Sequence, residues 1–332
     1  MRGALSRGLR ALLLSLPMLL PAVMPAAAQA EALCPPQAEP APSQAQWLDA
    51  MPGPTDRGLL WRVEKDEHVS WLYATVHVGR RDWIVPGATV LSALASADRV
   101  AFELDLLDPG VLQRLQRAAR VPPGQPPLPP DLAARLDQAL SEACVGRGLD
   151  GLRPELQVIT LVSLSLRRDG LDPVWGIDGW LARLAHARRQ TVVSLETPEQ
   201  QIALLTGRRP QDGVEAVRRG LAEIGDPASR RVALRLAELW AGSDAAALED
   251  FAQWCDCLGS EAEREAHRVG VEARNPAMAE RIATLHQRGS RVFAAVGALH
   301  MVGPQGLPAL LARRGFRVER VLPAEVPVPA RQ

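Results

Sequence analysis

The stretch that decides the fold is RVFAAVGALH, residues 291–300. Residues 292–296 are apolar, a glycine follows at Gly297, and one polar side chain, His300, comes three residues later. This pattern is typical of a buried strand that brings a polar residue to its carboxyl end, where open α/β sheets commonly bind ligands. The stretch therefore predicts a strand and a candidate site residue.

A second stretch has the same design. The sequence VSWLYATVH, residues 69–77, is strand-like and ends on His77. Residues 59–64 are also strand-like, and the polar residues 65–68 separate the two runs, which predicts a β-hairpin. Two histidines that follow strands are the beginning of a possible site.

Acidic residues follow two further strand-like runs. In residues 99–105, RVAFELD, a charge at Glu103 has no easy place in a buried strand unless it is paired or binds a ligand, so we favour a functional role. Asp105 is better interpreted, with Asp108, as a cap of the next helix. Residues 191–195 predict another strand, which Glu196 closes. Glu196 either favours the positive end of the following helix or adds a further carboxylate to the site.

Helical patterns fill most of the remaining chain. The proline-rich residues 121–130 are interpreted as a connector within one domain. Helices are expected at 131–144, 154–167 and 178–189, and throughout 213–254. Three histidines in helical segments are interpreted as surface or packing residues: His186, His267 and His286.

The composition, 47% hydrophobic and 23% charged, is ordinary for a globular protein. The whole chain has 38 basic and 38 acidic residues. Without the three arginines of residues 1–30, its net charge is about −3, which gives no electrostatic reason to expect nucleic-acid binding.

Residues 1–30 have the features of a secretory signal peptide: arginines, an apolar run at 11–24 and small residues at 25–30. The apolar run is short for a membrane span of about 20 residues. We expect a periplasmic or secreted protein with no transmembrane span after cleavage. An extended lead-in at 31–57, a folded domain at 58–323 and a disordered tail at 324–332 would follow.

The chain has four cysteines, all beyond the predicted signal peptide. An exported protein with an even number of cysteines favours disulfides, and four cysteines allow three pairings. Because Cys255 and Cys257 are only two positions apart, we expect each to pair with Cys34 or Cys144. A metal site at Cys255 and Cys257 is less favoured, since their spacing is shorter than the usual ligand gap.

Taken together, the motifs resemble the TraB/GumN family, to which the Tiki-type metalloproteases belong. Erythromycin esterase-like and haem-binding ChaN-like proteins are more distant relations in fold. The family pattern has two Gly-x-x-His motifs; the second is intact from Gly297 to His300, whereas Ala74 replaces the first glycine. Alanine is compatible with the motif unless the backbone there needs a positive φ. The resemblance rests on residues 59–63, 73–79, 102–105, 176–178, 195–200, 272–275 and 297–300.

The resemblance implies an α/β fold with a mixed central β-sheet flanked by helices and a large helical insertion. It further implies that the site residues gather at one edge of the sheet. We expect His77, Glu103 and His300 to bind a divalent metal, because this nitrogen and oxygen donor set suits Mn, Co or Zn.

Three more residues match the family pattern and complete a hypothetical hydrolytic site. Glu196 is the candidate general base, although its role and that of Glu103 are interchangeable at this stage. Arg274 is the candidate oxyanion stabiliser, and an alternative is an ordinary surface charge. Asn275, a plausible helix cap, would orient Arg274 or a substrate carbonyl.

The expected function is therefore that of a periplasmic, divalent-metal-dependent, protease-like hydrolase acting on a peptide or small-molecule substrate. Two alternatives stay open. The protein could bind haem, a less favoured cofactor, or a metal without turnover, or it could be an accessory protein of envelope polysaccharide or conjugation systems.

Overall fold

Four neighbouring parallel strands, one of them at the edge, belong to a six-stranded mixed sheet in the computed structural model, which describes residues 34–36, 55–207 and 209–321. The order is β4-β3-β5-β2-β1-β6. Strands β4, β3, β5 and β2 pair in parallel, and β1 pairs antiparallel with β2 on one side and with β6 on the other. This arrangement confirms the predicted α/β fold. The strands are β1 (Leu60–Lys65), β2 (His68–Thr75), β3 (Arg99–Phe102), β4 (Thr191–Ser194), β5 (Val292–Gly297) and β6 (Arg317–Val321).

Strand β5, which contains most of the apolar run in residues 291–300, lies between β3 and β2. Every residue of β5 is buried, as expected for a strand covered on both faces. Its Ala295 lies opposite Tyr73 of β2 on one side and Phe102 of β3 on the other. The predicted hairpin forms β1 and β2, and its two-residue turn is made by Asp66 and Glu67, both with positive φ.

Helices cover the sheet and form the insertion. Those of the first half are α1 (Ala88–Ser96), α2 (Pro109–Ala119), α3 (Pro130–Glu142), α4 (Pro154–Ser165) and α5 (Ile177–Ala187). Those of the second half are α6 (Pro198–Thr206), α7 (Pro210–Glu223), α8 (Pro227–Ala241), α9 (Ala245–Glu249), α10 (Phe251–Trp254), α11 (Glu261–Gly270), α12 (Asn275–Gln287) and α13 (Leu307–Arg313).

The insertion has a hydrophobic core of its own. Helices α2, α3, α4, α6 and α7 pack around buried residues such as Leu115, Leu132, Leu156 and Val217. A larger core lies on the sheet and contains β2, β5 and α8. Three of the five helices in the insertion lie between β3 and β4, so the chain leaves the sheet after β3 and builds a second layer of packing before it returns.

The predicted continuous helix over residues 213–254 is wrong. The chain forms four helices there, α7 to α10. Gly225 has a φ of +80°, and Asp226 then caps α8, with Pro227 in its first turn. Ser243 also has a positive φ, and the Asp244 side chain caps α9. Local caps therefore interrupt a helical pattern that otherwise continues.

The expected disulfide pairing is also wrong. Cys34 pairs with Cys144, and Cys255 pairs with Cys257. The short closure is possible because Asp256 has a φ of +47°, and the Cα atoms of Cys255 and Cys257 lie 5.0 Å apart. That distance is within the range that disulfides span. Both cysteines of the short pair are buried.

The signal peptide predicted at residues 1–30 and the tail predicted at 324–332 lie outside the described residues, as does most of the lead-in. Among the described helices, none has the length and apolar character needed to cross a membrane.

Candidate functional site

Each of the four parallel strands delivers one polar residue at its carboxyl end. His77 follows β2 by two residues, Glu103 directly follows β3, and Glu196 follows β4 by two residues. His300 ends a short 3-10 turn, Ala298–His300, that begins where β5 stops. Strand β3 is shorter than predicted, because it ends at Phe102 rather than at residue 105.

Backbone pairing beyond β3 and β4 holds the two glutamates side by side. Leu195 N donates to Phe102 O at 2.7 Å, and Glu196 N donates to Glu103 O at 3.0 Å. Glu103 Oε1 also accepts a hydrogen bond from Gly297 N at 3.1 Å, at the end of β5. The Glu103 carboxylate is therefore fixed between two neighbouring strands.

The structure brings His77, Glu103 and His300 together. Nε2 of His77 lies 3.8 Å from Oε1 of Glu103, and Nε2 of His300 lies 4.0 Å from the same oxygen. All three side chains are buried, and His300 is 0% exposed. Two imidazoles thus face one carboxylate oxygen inside the protein.

Hydrogen bonds determine which nitrogen of His300 carries the proton. Asn275 Nδ2 donates to Gln305 O at 2.7 Å, so Asn275 Oδ1 is an acceptor, and it lies 2.6 Å from His300 Nδ1. His300 Nδ1 therefore carries the proton, and Nε2 is left with a lone pair that can accept a hydrogen bond. Burial, reinforced by the charge of Arg274, lowers the pKa of His300 well below its usual value and keeps the ring neutral.

His77 is oriented in a similar way by a carboxylate. Its Nδ1 lies 2.6 Å from Oδ2 of Asp178, whose Oδ1 accepts from the Thr75 hydroxyl. Burial alone would raise the pKa of Asp178, but His77 and the hydrogen bonds outweigh it, and the pKa is lowered. The ionised carboxylate favours a proton on His77 Nδ1, and the other ring nitrogen, Nε2, lies on the side of Glu103.

The backbone of His77 is also closely packed. A Cβ at Gly176 would lie 2.6 Å from His77 O, so this position requires glycine.

Arg274 connects the two glutamates and His300, and every N–H group of its guanidinium is engaged. Nε donates to Glu196 Oε1 at 2.9 Å, and Nη2 donates to Glu103 Oε2 and Glu196 Oε2. Nη1 donates to Gly270 O at 3.1 Å and to His300 Nε2 at 3.1 Å. These are five hydrogen bonds from a group that has five N–H donors. Although burial opposes it, the pair of carboxylates raises the pKa of Arg274, so its charge is permanent.

The charges of this cluster do not balance. Glu103, Glu196 and Asp178 are three carboxylates, and Arg274 is the permanent positive charge among them, beside the neutral His300. Burial raises the pKa of Glu103; Arg274 and His77 oppose this shift, whereas Glu196 and Asp178 act in the same direction as burial. A buried excess of negative charge is costly and favours either protonation or a bound cation.

The same elements match a known family along most of the chain. The model of the TraB/PrgY/gumN family matches residues 59–320. The chain belongs to the TraB/PrgY/gumN family. No match was found among curated proteins or among solved structures.

In this TraB/PrgY/gumN protein, Ala74 does not disturb the first histidine motif. Its φ is not positive, so the backbone there does not require glycine. Its carbonyl accepts a hydrogen bond from Trp240 Nε1 at 2.7 Å, which ties β2 to α8.

Two expected caps are not caps. Asn275 begins α12, but its side chain bonds to His300 and Gln305 and leaves the helix end uncapped. Asp108 caps α2 as predicted, whereas the Asp105 carboxylate accepts from Leu107 N and contacts His186 at 3.0 Å. In both cases other partners engage the side chain that could have capped the helix.

Two residues of the cluster carried no predicted role. Asp178 orients His77 from the first turn of α5, and Gln201 Nε2 of α6 donates to Glu196 Oε2 at 3.0 Å and to Glu103 Oε2 at 3.4 Å. Asp178 belongs to the stretch 176–178 that contributes to the family resemblance, so a signal was present. Gln201 directly follows a capping box and has no comparable signal.

The donor set suits a divalent metal ion in its chemistry. Two ligand atoms, each about 2.1 Å from one ion, lie at most about 4.2 Å apart, and the two distances to Glu103 Oε1 are below that limit. In the described ranges, no group of three His, Cys, Asp or Glu side chains is arranged to hold a metal ion as it stands. Arg274 Nη1 takes the lone pair of His300, and binding would require that contact to change.

Proposed function

We propose that this TraB/PrgY/gumN protein is a divalent-metal-dependent hydrolase that acts outside the cytoplasm. The observation that carries the proposal is that the Nε2 atoms of His77 and His300 both lie within 4.0 Å of Oε1 of Glu103, with each Nδ1 engaged by an acceptor. Metal-binding histidines usually have their second nitrogen held in this way. The excess of carboxylates around them supports a cation.

His77, Glu103 and His300 would hold Mn, Co or Zn. Such an ion, when bound, lowers the pKa of water and polarises a carbonyl group. Asp178 and Asn275 act as positioning residues for the two imidazoles. Because both polar atoms of the Asn275 side chain are engaged within the protein, its contact with a substrate is no part of the proposal.

Glu196 and Arg274 would complete the chemistry. Glu196 is about 10% exposed, more than Glu103 and His300, so it has more contact with solvent than either of them. Its carboxylate is the candidate proton acceptor, and Gln201 and Arg274 fix its orientation. Arg274 is the candidate donor to the oxyanion of a peptide, amide or ester substrate.

Location outside the cytoplasm is supported by the predicted signal peptide and by two disulfides among the described residues. Disulfides persist in oxidising compartments. Mass spectrometry of the protein secreted into the periplasm would test this, and the expected mature chain begins near residue 31.

Metal binding is the decisive test. Calorimetric titration of chelator-treated mature protein with Mn²⁺, Co²⁺ and Zn²⁺ is expected to show one site, and binding should raise the melting temperature. His77→Ala and His300→Ala should abolish both effects, whereas His68→Ala, at an exposed strand end, should change neither. A mature protein that binds none of the three ions would contradict the proposal.

The hydrolase activity needs a second assay. The metal-loaded protein is incubated with a peptide library, and cleaved products are identified by mass spectrometry. Glu196→Gln is expected to retain metal binding and to lose cleavage. Metal binding without any cleavage would favour the alternative of a non-catalytic metal-binding protein, and an absorbance band on haem addition that needs His77 would favour a haem protein.

A further inference from the structure

We infer that Glu155 forms a pH-sensitive contact in the helical insertion: as a neutral carboxylic acid it lets α4 pack tightly on α7, and its ionisation loosens that packing. The inference goes beyond the proposed function and needs neither a metal ion nor a hydrolytic reaction. Its basis is a carboxyl group that lies inside a helix interface rather than at the surface. Glu155 stands in the first turn of α4 and is only 5% exposed.

Glycines of α7 bring the two helices close together at this position. A Cβ at Gly213 would lie 2.1 Å from Glu155 Oε1, so the carboxyl group occupies the space that a side chain would need there. Further along the same helix, a Cβ at Gly220 would lie 2.8 Å from both γ-carbons of Val158. Val158 and Val217 are buried in the core of the insertion. Glu155 therefore lies at one end of a tightly packed apolar interface.

The immediate surroundings of this carboxyl group favour its neutral form. Oε2 of Glu155 is buried and has no hydrogen-bond partner among the described residues. The cation that acts on it is Arg153, but the Arg153 guanidinium donates elsewhere, to Ala118 O at 3.1 Å and to Thr206 Oγ1 at 3.4 Å. Burial raises the pKa of Glu155, and the opposing effects of its own backbone N–H and of Arg153 do not cancel that shift.

The helices packed around Glu155 do not supply a counter-charge within the described part of the chain. On α7, Asp212 precedes Gly213, and Arg209 holds its carboxylate at 2.7 Å. At the end of α6, the polar group is the uncharged Thr206 hydroxyl, which donates to Ile202 O at 3.0 Å. Helices α2 and α3 contribute aliphatic residues to this core: Leu115, Ala119, Leu132 and Leu136. An ionised Glu155 would therefore be a buried charge without a salt bridge, which is costly.

The consequence is an insertion whose stability falls as the pH rises. The folded-state pKa of Glu155 lies above the ordinary value of 4.5, so between the two values the folded protein keeps a proton that the unfolded chain has lost. The stabilisation is fully present below the unfolded pKa and is lost as the pH rises through the folded pKa. The loss bears on the candidate site, because Ile202 is buried in the same core and its neighbour Gln201 donates to both glutamates.

Glu155→Gln tests the inference, because glutamine has nearly the same shape and cannot ionise. Urea denaturation of both proteins is measured from about pH 4 to about pH 8 in the presence of chelator. The unfolding equilibrium constant of the natural protein, divided by that of Glu155→Gln, should rise by up to about tenfold per pH unit around the folded pKa. The matched control is Glu215→Gln in α7, where the side chain is 41% exposed and the ratio should stay constant. A constant ratio for Glu155→Gln would overturn the inference.

Measurements on the natural protein cover the case in which Glu155→Gln fails to fold. The carboxyl ¹³C shift of Glu155, followed by NMR, gives its pKa directly, and we expect a value above 4.5. Amide protection in α4 and α7, corrected for the intrinsic exchange rate, should decrease over the same pH range, whereas the buried strand β5 should keep its protection. An ordinary pKa for Glu155, or helix protection that does not change as Glu155 ionises, would refute the inference.

Discussion

Nδ1 of His300 lies 2.6 Å from Oδ1 of Asn275, and the opposite end of the same amide donates to Gln305 O. This contact assigns the His300 tautomer, and therefore the direction of its lone pair. Asn275→Ala is expected to lower metal affinity about 10- to 100-fold, because His300 loses the partner that orients it. It should also lower the free energy of unfolding by about 1–3 kcal/mol, since the buried Nδ1–H of His300 loses its acceptor.

The two effects of Asn275→Ala are measured separately, by calorimetric titration with Mn²⁺ and by urea denaturation of the metal-free protein. Asn275→Asp is the matched variant, because it keeps an acceptor for His300 Nδ1 while losing the donor to Gln305 O. It should retain more of the metal affinity than alanine does. Equal metal affinity in both variants would show that the acceptor at this position does not orient His300.

Asp178 orients the imidazole of His77 as Asn275 orients that of His300, but its partner atom belongs to a charged carboxylate. Asp178→Asn is expected to weaken metal binding about 10- to 100-fold, because the neutral amide is a poorer partner for the Nδ1 proton. The comparison is with Asp137→Asn, an exposed position in the middle of α3, which should leave the metal affinity unchanged. If Asp178→Asn binds Mn²⁺ as tightly as the natural protein, Asp178 has no orienting role.

The lowered pKa of His300 predicts how the stability of the metal-free protein depends on pH. Its folded-state pKa lies below the unfolded value of about 6.5, so the unfolded state binds more protons in the range between them. The contribution of neutral His300 is therefore present above pH 6.5 and is lost as the pH falls toward the folded pKa. The slope for one such group is at most about 1.4 kcal/mol per pH unit.

This pH dependence is isolated by comparing two proteins rather than by one titration. Unfolding free energies of the natural protein and of His300→Gln are measured from pH 7.5 to 5 in the presence of chelator. Their difference should become smaller, or change sign, as the pH falls, because only the natural protein must keep a buried imidazole neutral. A difference that stays constant with pH would rule out a lowered His300 pKa.

Much of this site could be predicted because strand ends are visible in a sequence. His77, Glu103, Glu196 and His300 each follow an apolar run, and parallel strands bring their carboxyl ends to one edge of a sheet. What the sequence could not supply is the side-chain pairing. Nothing local in the sequence indicates that Arg274 directs four of its five N–H groups to Glu103, Glu196 and His300. Nor does it indicate that Gln201 reaches both glutamates.

The wrong predictions have a common physical origin in local backbone conformation. The pairing of Cys255 with Cys257 depends on a positive φ at Asp256, and the break between α7 and α8 depends on a positive φ at Gly225. Asn275 illustrates a different difficulty. Asparagine is a common helix cap, but the Asn275 side chain hydrogen-bonds to His300, which is distant in sequence, and not to the end of its own helix.

The Cys34–Cys144 disulfide should contribute strongly to stability. It joins residues 110 positions apart, so removing it should cost about 4–5 kcal/mol through the entropy of the unfolded chain. Cys144 is exposed, so Cys34→Ala/Cys144→Ala removes little packing. Urea denaturation measures the loss, and peptide mapping without reduction should recover Cys255 and Cys257 within one peptide. A peptide that links Cys34 to Cys255 or Cys257 would contradict the pairing.

Gly176 lies where α5 begins, against the carbonyl of His77. A Cβ at this position would lie 2.6 Å from His77 O and 3.1 Å from Pro173 O, and backbone atoms cannot move aside as a flexible side chain can. Gly176→Ala is therefore expected to lower the free energy of unfolding by about 1–3 kcal/mol, and to weaken metal binding by displacing His77. The matched control is Gly179→Ala. Gly179 lies in helix α5, and a Cβ there would meet only the end of the Arg183 side chain, at 3.6 Å. Alanine favours a helix over glycine by about 1 kcal/mol, so Gly179→Ala should be neutral or stabilising. Urea denaturation and calorimetry with Mn²⁺ measure the two effects, and a Gly176→Ala protein that matches Gly179→Ala in both would show that the close approach to His77 is not needed.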